Sequence, residues 1–119
     1  MNELISFDTA KLAKEKGFND VCQYAYWRNI EGNYNLVDNC DMENSELAEY
    51  NYTTPTQTHL KRWLREKHNT HLITKPEING DFYTEVINLD DNVFIELEPL
   101  SSYENSLELG LIRAFDLIN

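Results

Sequence analysis

Residues 54–68 carry the strongest structural signal in this chain, because they hold every element that a helix start requires. Thr54 is suited to cap the first turn through its hydroxyl, Pro55 suits the first helical position, and Gln57 stands where a capping box needs it. The sequence therefore predicts an α-helix here, which Asn69 ends and which buries one arc of apolar side chains, namely Leu60, Trp63 and Leu64.

Two further helices are predicted from their ends. Ser6 is a good N-cap and Gly17 followed by Phe18 fits a Schellman stop, so residues 7–16 should form a short helix. Ser101 with Glu104 makes a capping box for a helix that runs to the C-terminus. The buried stripe of that helix is predicted to contain Tyr103, Leu107, Gly110, Leu111, Ala114 and Ile118.

Three positions on the last helix do not suit a simple solvent-facing role. Gly110 lies inside the stripe, where glycine costs about 1 kcal/mol against alanine, which predicts a close approach to a strand. Leu109 and Ile112 face away from the stripe at 100° per residue. They need cover from the first hairpin, from the acidic loop or from a second copy of the chain in a homodimer.

The remaining chain alternates as short strands do. Residues 22–27 and 34–37 predict a β-hairpin across Glu31-Gly32-Asn33, and residues 39–53 predict an acidic loop with a short helical turn near 45–50 as an option. Segments 71–78, 82–89 and 93–98, joined by Asn-Gly and Asp-Asp-Asn turns, predict a meander with 82–89 central and Pro76 on an edge strand.

These elements predict an α+β fold in one domain over residues 1–119, ordered as helix, β-hairpin, helix, three-stranded antiparallel meander and a C-terminal helix packed on the sheet. No apolar run is long enough for a membrane span and the first residues lack a signal-peptide pattern, so cytoplasmic residence and no membrane contact are expected. Cys22 and Cys40 are then expected to be free thiols.

Charge is unevenly distributed along the chain, whose net charge is -11. Residues 61–75 contain five Lys or Arg against one acid, whereas 31–54 and 76–112 contain no Lys or Arg at all. The acidic surface should repel nucleic acid and attract basic partners over roughly 8 to 10 Å. No direct binding of nucleic acid is therefore expected.

Patterns for chemistry are weak. His68 and His71 could converge across the end of the central helix to hold a metal ion, but His59 points the opposite way from His68 and no spacing places a histidine beside either cysteine. Asp90-Asp91 is explained by a turn, and the isolated glycines form no phosphate loop. No cofactor, resident metal or catalytic residue is assigned.

Aromatic residues give the best candidate interface. The hairpin and the loop after it hold six aromatic side chains with Arg28 the only basic residue among them, so half of the rings should be core and the others an amphipathic contact surface. The candidate interface residues are Tyr24, Tyr26, Trp27, Tyr34, Tyr50 and Tyr52, with Leu109 and Ile112.

The chain resembles a group of short uncharacterised proteins from Bacteroidetes and their phages or integrated elements. The resemblance lies in residues 10–18 (AKLAKEKGF), in 55–57 (PTQ) leading to 63–66 (WLRE), and in Tyr103-Glu104 with the apolar positions after it. It implies a mobile-element origin and brings no activity or site residues. Residues 39–53 match no motif of the group.

The sequence thus predicts a non-enzymatic, acidic accessory protein that binds another protein, with a basic partner favoured by charge. Two alternatives remain open. One is a DNA mimic that occupies the basic groove of a nucleic-acid-binding protein, which needs carboxylates spaced like phosphates. The other is a small metal-dependent hydrolase that uses His68 and His71 with a cysteine.

Overall fold

A computed structural model describes residues 3–118, which form three α-helices and two three-stranded antiparallel sheets, so the α+β class is confirmed. The chain divides into two compact units, one from Leu4–Thr56 and one from Gln57 onward together with Glu3, and each is described by itself. The elements are α1 (Phe7–Glu15), β1 (Tyr24–Arg28), β2 (Tyr34–Val37), β3 (Tyr52–Thr54), α2 (Gln57–His68), β4 (Thr70–Pro76), β5 (Phe82–Asn88), β6 (Val93–Glu96) and α3 (Tyr103–Asp116).

Helix α1 of the first unit has the predicted ends. The Ser6 hydroxyl accepts a hydrogen bond from the Thr9 amide at 3.2 Å, which satisfies one of the unpaired donors of the first turn. At the other end Gly17 has φ +91°, and the Phe18 amide donates to the Ala13 carbonyl at 2.9 Å. The Schellman stop is confirmed, with Phe18 buried beneath it.

The first sheet has the order β2-β1-β3, so the predicted hairpin of β1 and β2 is confirmed and gains a third strand. The prediction of a loop throughout 39–53 was wrong at its end, because β3 begins at Tyr52, which pairs with Tyr26 of β1. The helical turn in the loop is a short 3-10 turn, Asn44–Glu46. A strand of three residues is too short to show alternation, which is why the pattern did not reveal it.

The start of α2 was also predicted wrongly. Thr54 belongs to β3 and is buried, and its hydroxyl donates to the Ile5 carbonyl at 3.3 Å and caps no helix. The Pro55 carbonyl accepts from the Ile5 amide at 3.1 Å, and Thr56 makes a bridge with Leu4. These long-range pairings keep the backbone extended through residue 56, so the helix begins later than its sequence signals suggest.

In the second unit, Gln57 is the first residue of α2 and does not form the predicted capping box. Its side-chain amide donates to the Glu104 carbonyl and to the Glu108 carboxylate, each at 2.9 Å. Gln57 therefore ties the first turn of α2 to α3, and the predicted apolar arc of α2 is buried, namely Leu60, Trp63 and Leu64.

The second sheet has the order β4-β5-β6, which confirms the predicted meander with β5 in the centre and the strand that ends at Pro76 on an edge. Each strand is shorter than predicted, since β4 stops at Pro76 and β6 at Glu96. The chain then returns to β5, where Phe82 and Leu100 exchange two backbone hydrogen bonds of 2.8 Å.

Helix α3 packs on β4 and β5, as predicted, and ends at Asp116. Its cap is Ser102, whose hydroxyl accepts from the Asn105 amide at 3.0 Å, so the capping box assigned to Ser101 was wrong. A Cβ at Gly110 would lie 2.6 Å from the Thr84 methyl carbon Cγ2 and 3.0 Å from Leu72 Cδ2. The predicted close approach of the helix backbone to a strand is confirmed.

Hydroxyl groups complete the contact between α3 and the second sheet. The buried Thr84 hydroxyl donates to the Ser106 carbonyl at 2.9 Å and also lies within hydrogen-bond distance of the Ser106 and Thr74 hydroxyls. On the same strand the Asn88 amide donates to the Thr70 hydroxyl at 3.1 Å. Each buried polar side chain here has a partner, as a stable core requires.

Candidate functional site

Three of the predicted interface tyrosines surround Phe7 of α1 and form an aromatic cluster inside the first unit. The Phe7 ring centroid lies 5.4 Å from that of Tyr26, 4.5 Å from that of Tyr34 and 5.6 Å from that of Tyr52. Two of these pairs are edge-on, a favourable arrangement of ring quadrupoles. The cluster attaches α1 to one face of the first sheet.

The tyrosine hydroxyls of the cluster are engaged within the same unit. Tyr34 Oη donates to the Tyr50 carbonyl at 2.8 Å, and Tyr26 Oη donates to the Ile5 carbonyl at 3.3 Å. Burial raises the pKa of Tyr52, and the neighbouring Tyr34 raises it further. The cluster thus builds the unit and leaves its rings little free surface, and Tyr24, opposite Thr54, is half-buried as well.

Trp27 and Tyr50 are the exposed members of the predicted aromatic set. The Trp27 side chain is 40% exposed, and it shares its face of the sheet with Val37, its diagonal neighbour across β1 and β2. The Arg28 guanidinium lies 3.9 Å from the centroid of the Tyr50 ring, a close cation-π contact. The hairpin surface consists of the exposed apolar side chains Trp27 and Val37, with Ile30 at the turn and Tyr50 beside Arg28. Leu36 is also exposed, but it pairs with Tyr26 and so lies on the sheet face of the Phe7 cluster, opposite Trp27.

The acidic segment, residues 38–49, follows the hairpin and is held by polar contacts from the rest of the first unit. The Lys14 ammonium donates to the Ala48 and Asn51 carbonyls at 2.9 and 2.8 Å, and burial lowers its pKa while Glu49 opposes that shift. The buried Asn44 side chain donates to the Phe18 carbonyl and accepts from the Thr53 amide. The exposed acids of the segment are Asp38, Asp41, Glu46 and Glu49.

The remaining predicted interface residues lie on α3, where Leu109 and Ile112 are both half-buried. Leu107, Gly110, Leu111 and Ala114 of the predicted stripe are buried. The placement of Tyr103 in that stripe was wrong, because this residue of the first turn is 40% exposed. The expectation that Leu109 and Ile112 receive cover from the hairpin, the acidic loop or a second copy stays a prediction.

Both cysteines are free thiols. Cys22 is buried, and its burial raises the thiol pKa to about 11. The thiol donates to the Asp20 carbonyl at 3.6 Å. Burial also raises the pKa of Cys40. A thiol that stays protonated near neutral pH is a weak nucleophile and a weak metal ligand.

The predicted histidine pair offers limited chemistry. The His68 ring lies edge-on to Trp63 with centroids 4.7 Å apart, and burial lowers its pKa against the opposing charge of Asp90. His68 lines a cleft of about 300 Å³ with the carboxylates of Asp90 and Asp91. Across residues 3–118, no three or more His, Cys, Asp and Glu side chains are grouped so as to hold a metal ion.

Sequence reasoning missed one exposed region of the second unit. Ile73 and Phe94 lie on the side of the second sheet opposite the buried Leu72 and Val86, and they are 41% and 58% exposed. The signal was present, because Phe94 and Glu96 alternate with the inward Val93 and Ile95. The same alternation is typical of an ordinary solvent-facing side of a strand, so it does not by itself indicate an exposed apolar region.

No helix within the described part of the chain is long and apolar enough to cross a membrane. No protein-family model, no curated protein and no solved structure matches this chain.

Proposed function

We propose that this chain is a non-enzymatic acidic accessory protein that binds another protein through the hairpin surface. The observation that carries the proposal is the exposure of large apolar side chains on one face of the hairpin, with Trp27 40% and Val37 37% exposed. A tryptophan and a stacked tyrosine–arginine pair are the residue types most enriched in binding hot spots. The hairpin surface therefore has the composition of a protein contact.

Charge supports a basic partner. Glu31 and Asp38 lie at the turn and at the end of the hairpin, and the exposed acids of the adjoining segment add to them. A net charge of -11 accelerates encounter with positively charged proteins and opposes encounter with nucleic acid or anionic membrane. The partner is thus expected to be a protein with a positive patch around an apolar centre.

A capture experiment with matched surface variants tests this function. Tagged wild type, Trp27→Ser and Phe94→Ser are used as baits in lysate of the source cells at low and high salt. The expected result is a protein that wild type and Phe94→Ser retain at low salt and release at high salt, and that Trp27→Ser does not retain. The reason is that, of the two substituted residues, only Trp27 belongs to the hairpin surface. A set of captured proteins that is identical for all three baits and at both salt concentrations would contradict the proposal.

The same capture separates this function from the DNA-mimic alternative. A DNA mimic occupies a groove that also holds nucleic acid, so added duplex DNA would release its partner by competition. The hairpin surface is expected to keep its partner in the presence of DNA, because its centre is apolar.

Origin, compartment and assembly follow as parts of the same proposal. We assign the chain to a phage or integrated element and to the cytoplasm, where free thiols such as Cys22 and Cys40 persist. Cell fractionation checks the compartment. Sedimentation of Ile112→Asp beside wild type checks the homodimer, and an unchanged monomer with full stability would refute both cover and dimerisation at that position.

A further inference from the structure

The second sheet has one covered face and one open face. Its covered face meets α3, with Leu72, Thr84 and Val86 buried to 3% exposure or less. Strand register places the alternate side chains together on the opposite side. Ile73 lies in a row with Glu85 and Glu96, Ile87 lies between His71 and Phe94, and Lys75 lies beside Tyr83. These residues form the open face, which consists of His71, Ile73, Lys75, Tyr83, Glu85, Ile87, Phe94 and Glu96.

Charge on the open face is unbalanced. Glu85 and Glu96 stand directly opposite each other on β5 and β6, a pairing that is unfavourable for like charges. The Lys75 ammonium lies 3.0 Å from the Glu85 carboxylate, whose side chain is only 14% exposed, and this hydrogen bond raises the pKa of Lys75. Lys75 is the one lysine or arginine on the open face and stands against two glutamates, so a surplus negative charge remains at Glu96, whose same-face neighbour on β6 is Phe94.

We infer that the open face docks a cationic amphipathic helix of a partner protein. The two outer strands lie about 10 Å apart and β4 and β5 are about 23 Å long, which matches the diameter of a helix and roughly four turns. The covered face shows that this sheet accepts a helix, since α3 lies across β4 and β5 on that side. Apolar residues of the docked helix meet Ile73 and Phe94, and a lysine or arginine meets Glu96.

Charge argues for a different protein as the occupant and against a second copy of this chain. Two copies facing each other would bring two surplus carboxylates together at the contact, and each copy carries a net charge of -11. Burying Glu96 without a cation would leave a desolvated charge, which is costly. A basic residue in the incoming helix removes that cost.

The open face belongs to the second unit and the hairpin surface to the first, and the inference does not depend on the proposed function. Trp27→Ser tests the hairpin surface, whereas Phe94→Ser and Glu96→Gln test the open face. Phe94 and Glu96 are exposed, so both substitutions are expected to leave the fold intact. Thermal unfolding of each variant checks that expectation, and Glu96→Gln alone decides if Phe94→Ser is unstable.

A titration followed by nuclear magnetic resonance tests the inference directly. The isotope-labelled protein is mixed with a synthetic helical peptide of leucine and lysine, about 14 residues long, and separately with the matching peptide of leucine and glutamate. The expected result is binding of the lysine peptide alone, with amide shifts confined to β4, β5 and β6. Affinity should fall about fivefold or more in Phe94→Ser and Glu96→Gln and stay unchanged in the control Ile78→Ser, an exposed turn residue.

Three outcomes would overturn the inference. Shifts centred on residues 38–49 would show general attraction to the most acidic segment, and equal binding of both peptides would show that charge plays no part. A concentration-dependent dimer in sedimentation, lost in Phe94→Ser, would make a second copy the occupant. Loss of a lysate partner in Trp27→Ser bears only on the proposed function.

Discussion

The two sheets of this chain each have three antiparallel strands, yet the contacts that hold a helix against them differ. In the first sheet, aromatic rings hold the helix, because Phe7 of α1 is surrounded by Tyr26, Tyr34 and Tyr52. In the second sheet, a small residue allows the helix to pack closely, because Gly110 lets the backbone of α3 approach Thr84. The aromatic rings hold the short helix α1 by burying a large contact area. Gly110 holds the longer helix α3 by letting its backbone approach the strand closely.

The difference extends to polar groups. The first unit uses side-chain amides to hold irregular backbone, since Asn44 bonds the Phe18 carbonyl and the Thr53 amide. The second unit uses hydroxyls to join regular elements, since Thr84 bonds Ser106 and Thr74. The comparison teaches that the first unit depends on long-range contacts to its loop, whereas the second depends on helix-to-strand spacing.

The largest effect is expected for Asn44→Ala, which removes the amide that holds the acidic segment. The substitution leaves the Phe18 carbonyl and the Thr53 amide without their partner, at about 1–3 kcal/mol for each buried group. Chemical denaturation should show a loss of about 3 kcal/mol. Asn33→Ala, at an exposed turn, is the matched control and should be neutral. Equal stabilities for both variants would remove the claim that the loop contacts stabilise the first unit.

Thr84→Val comes next and tests the hydroxyl network of the second unit. Valine keeps the shape of the side chain but cannot bond Ser106 or Thr74, so a loss of about 2 kcal/mol is expected in denaturation. Thr74→Val loses only one of these bonds at a half-buried site and should cost less. The opposite ranking would show that the network is not centred on Thr84.

Gly110→Ala should cost about 1 kcal/mol, because overpacking of about 1–3 kcal/mol exceeds the helix propensity gain of about 1 kcal/mol. The clash is with the Thr84 methyl at 2.6 Å, which Thr84→Ser removes while keeping the hydroxyl. A double-mutant cycle measured by denaturation therefore predicts that Gly110→Ala becomes neutral or stabilising in the Thr84→Ser background. An undiminished cost there would assign the restriction to Leu72 Cδ2 or to Thr84 Cβ, which the serine retains.

The smallest effect concerns pH and His68. Burial lowers the folded-state pKa of His68 below its ordinary value of 6.5, so the fold prefers the neutral ring. The contribution of the neutral ring to the free energy of unfolding is fully present above pH 6.5 and is lost as the pH falls through the lower folded-state pKa. The loss is less than about 1 kcal/mol, because the ring is partly exposed to solvent. Stability measured near pH 8 and pH 5 should differ less in His68→Gln than in wild type. A variant with the wild-type difference would exclude His68 as the source.

The sequence predicted the fold well where the signals are local. The cap at Ser6, the stop at Gly17 and the glycine at 110 each act within one turn or one contact, and all three are confirmed. The predicted start of α2 was wrong because the hydroxyl of Thr54, a good capping residue by type, donates instead to the carbonyl of Ile5, which is far away in the chain. Only the tertiary structure decides between two partners for one hydroxyl.

The candidate site was harder to predict than the fold. All six aromatic positions looked equivalent in the sequence, but Phe7 of α1 covers one face of the first sheet and leaves Trp27 on the other. Exposure therefore depended on where a helix packs, which alternation along a strand cannot show. The alternation at Phe94 and Glu96 is visible in the sequence, but the sequence does not show that no helix among residues 3–118 covers that face of the second sheet.

The anchoring of the acidic segment has a thermodynamic consequence for association. Its backbone is already fixed by Lys14 and Asn44, so the backbone positions that carry its carboxylates are set before any partner arrives. A flexible acidic tail would lose chain entropy on docking, whereas this segment has lost it during folding. Recognition here is expected to resemble the meeting of two rigid bodies.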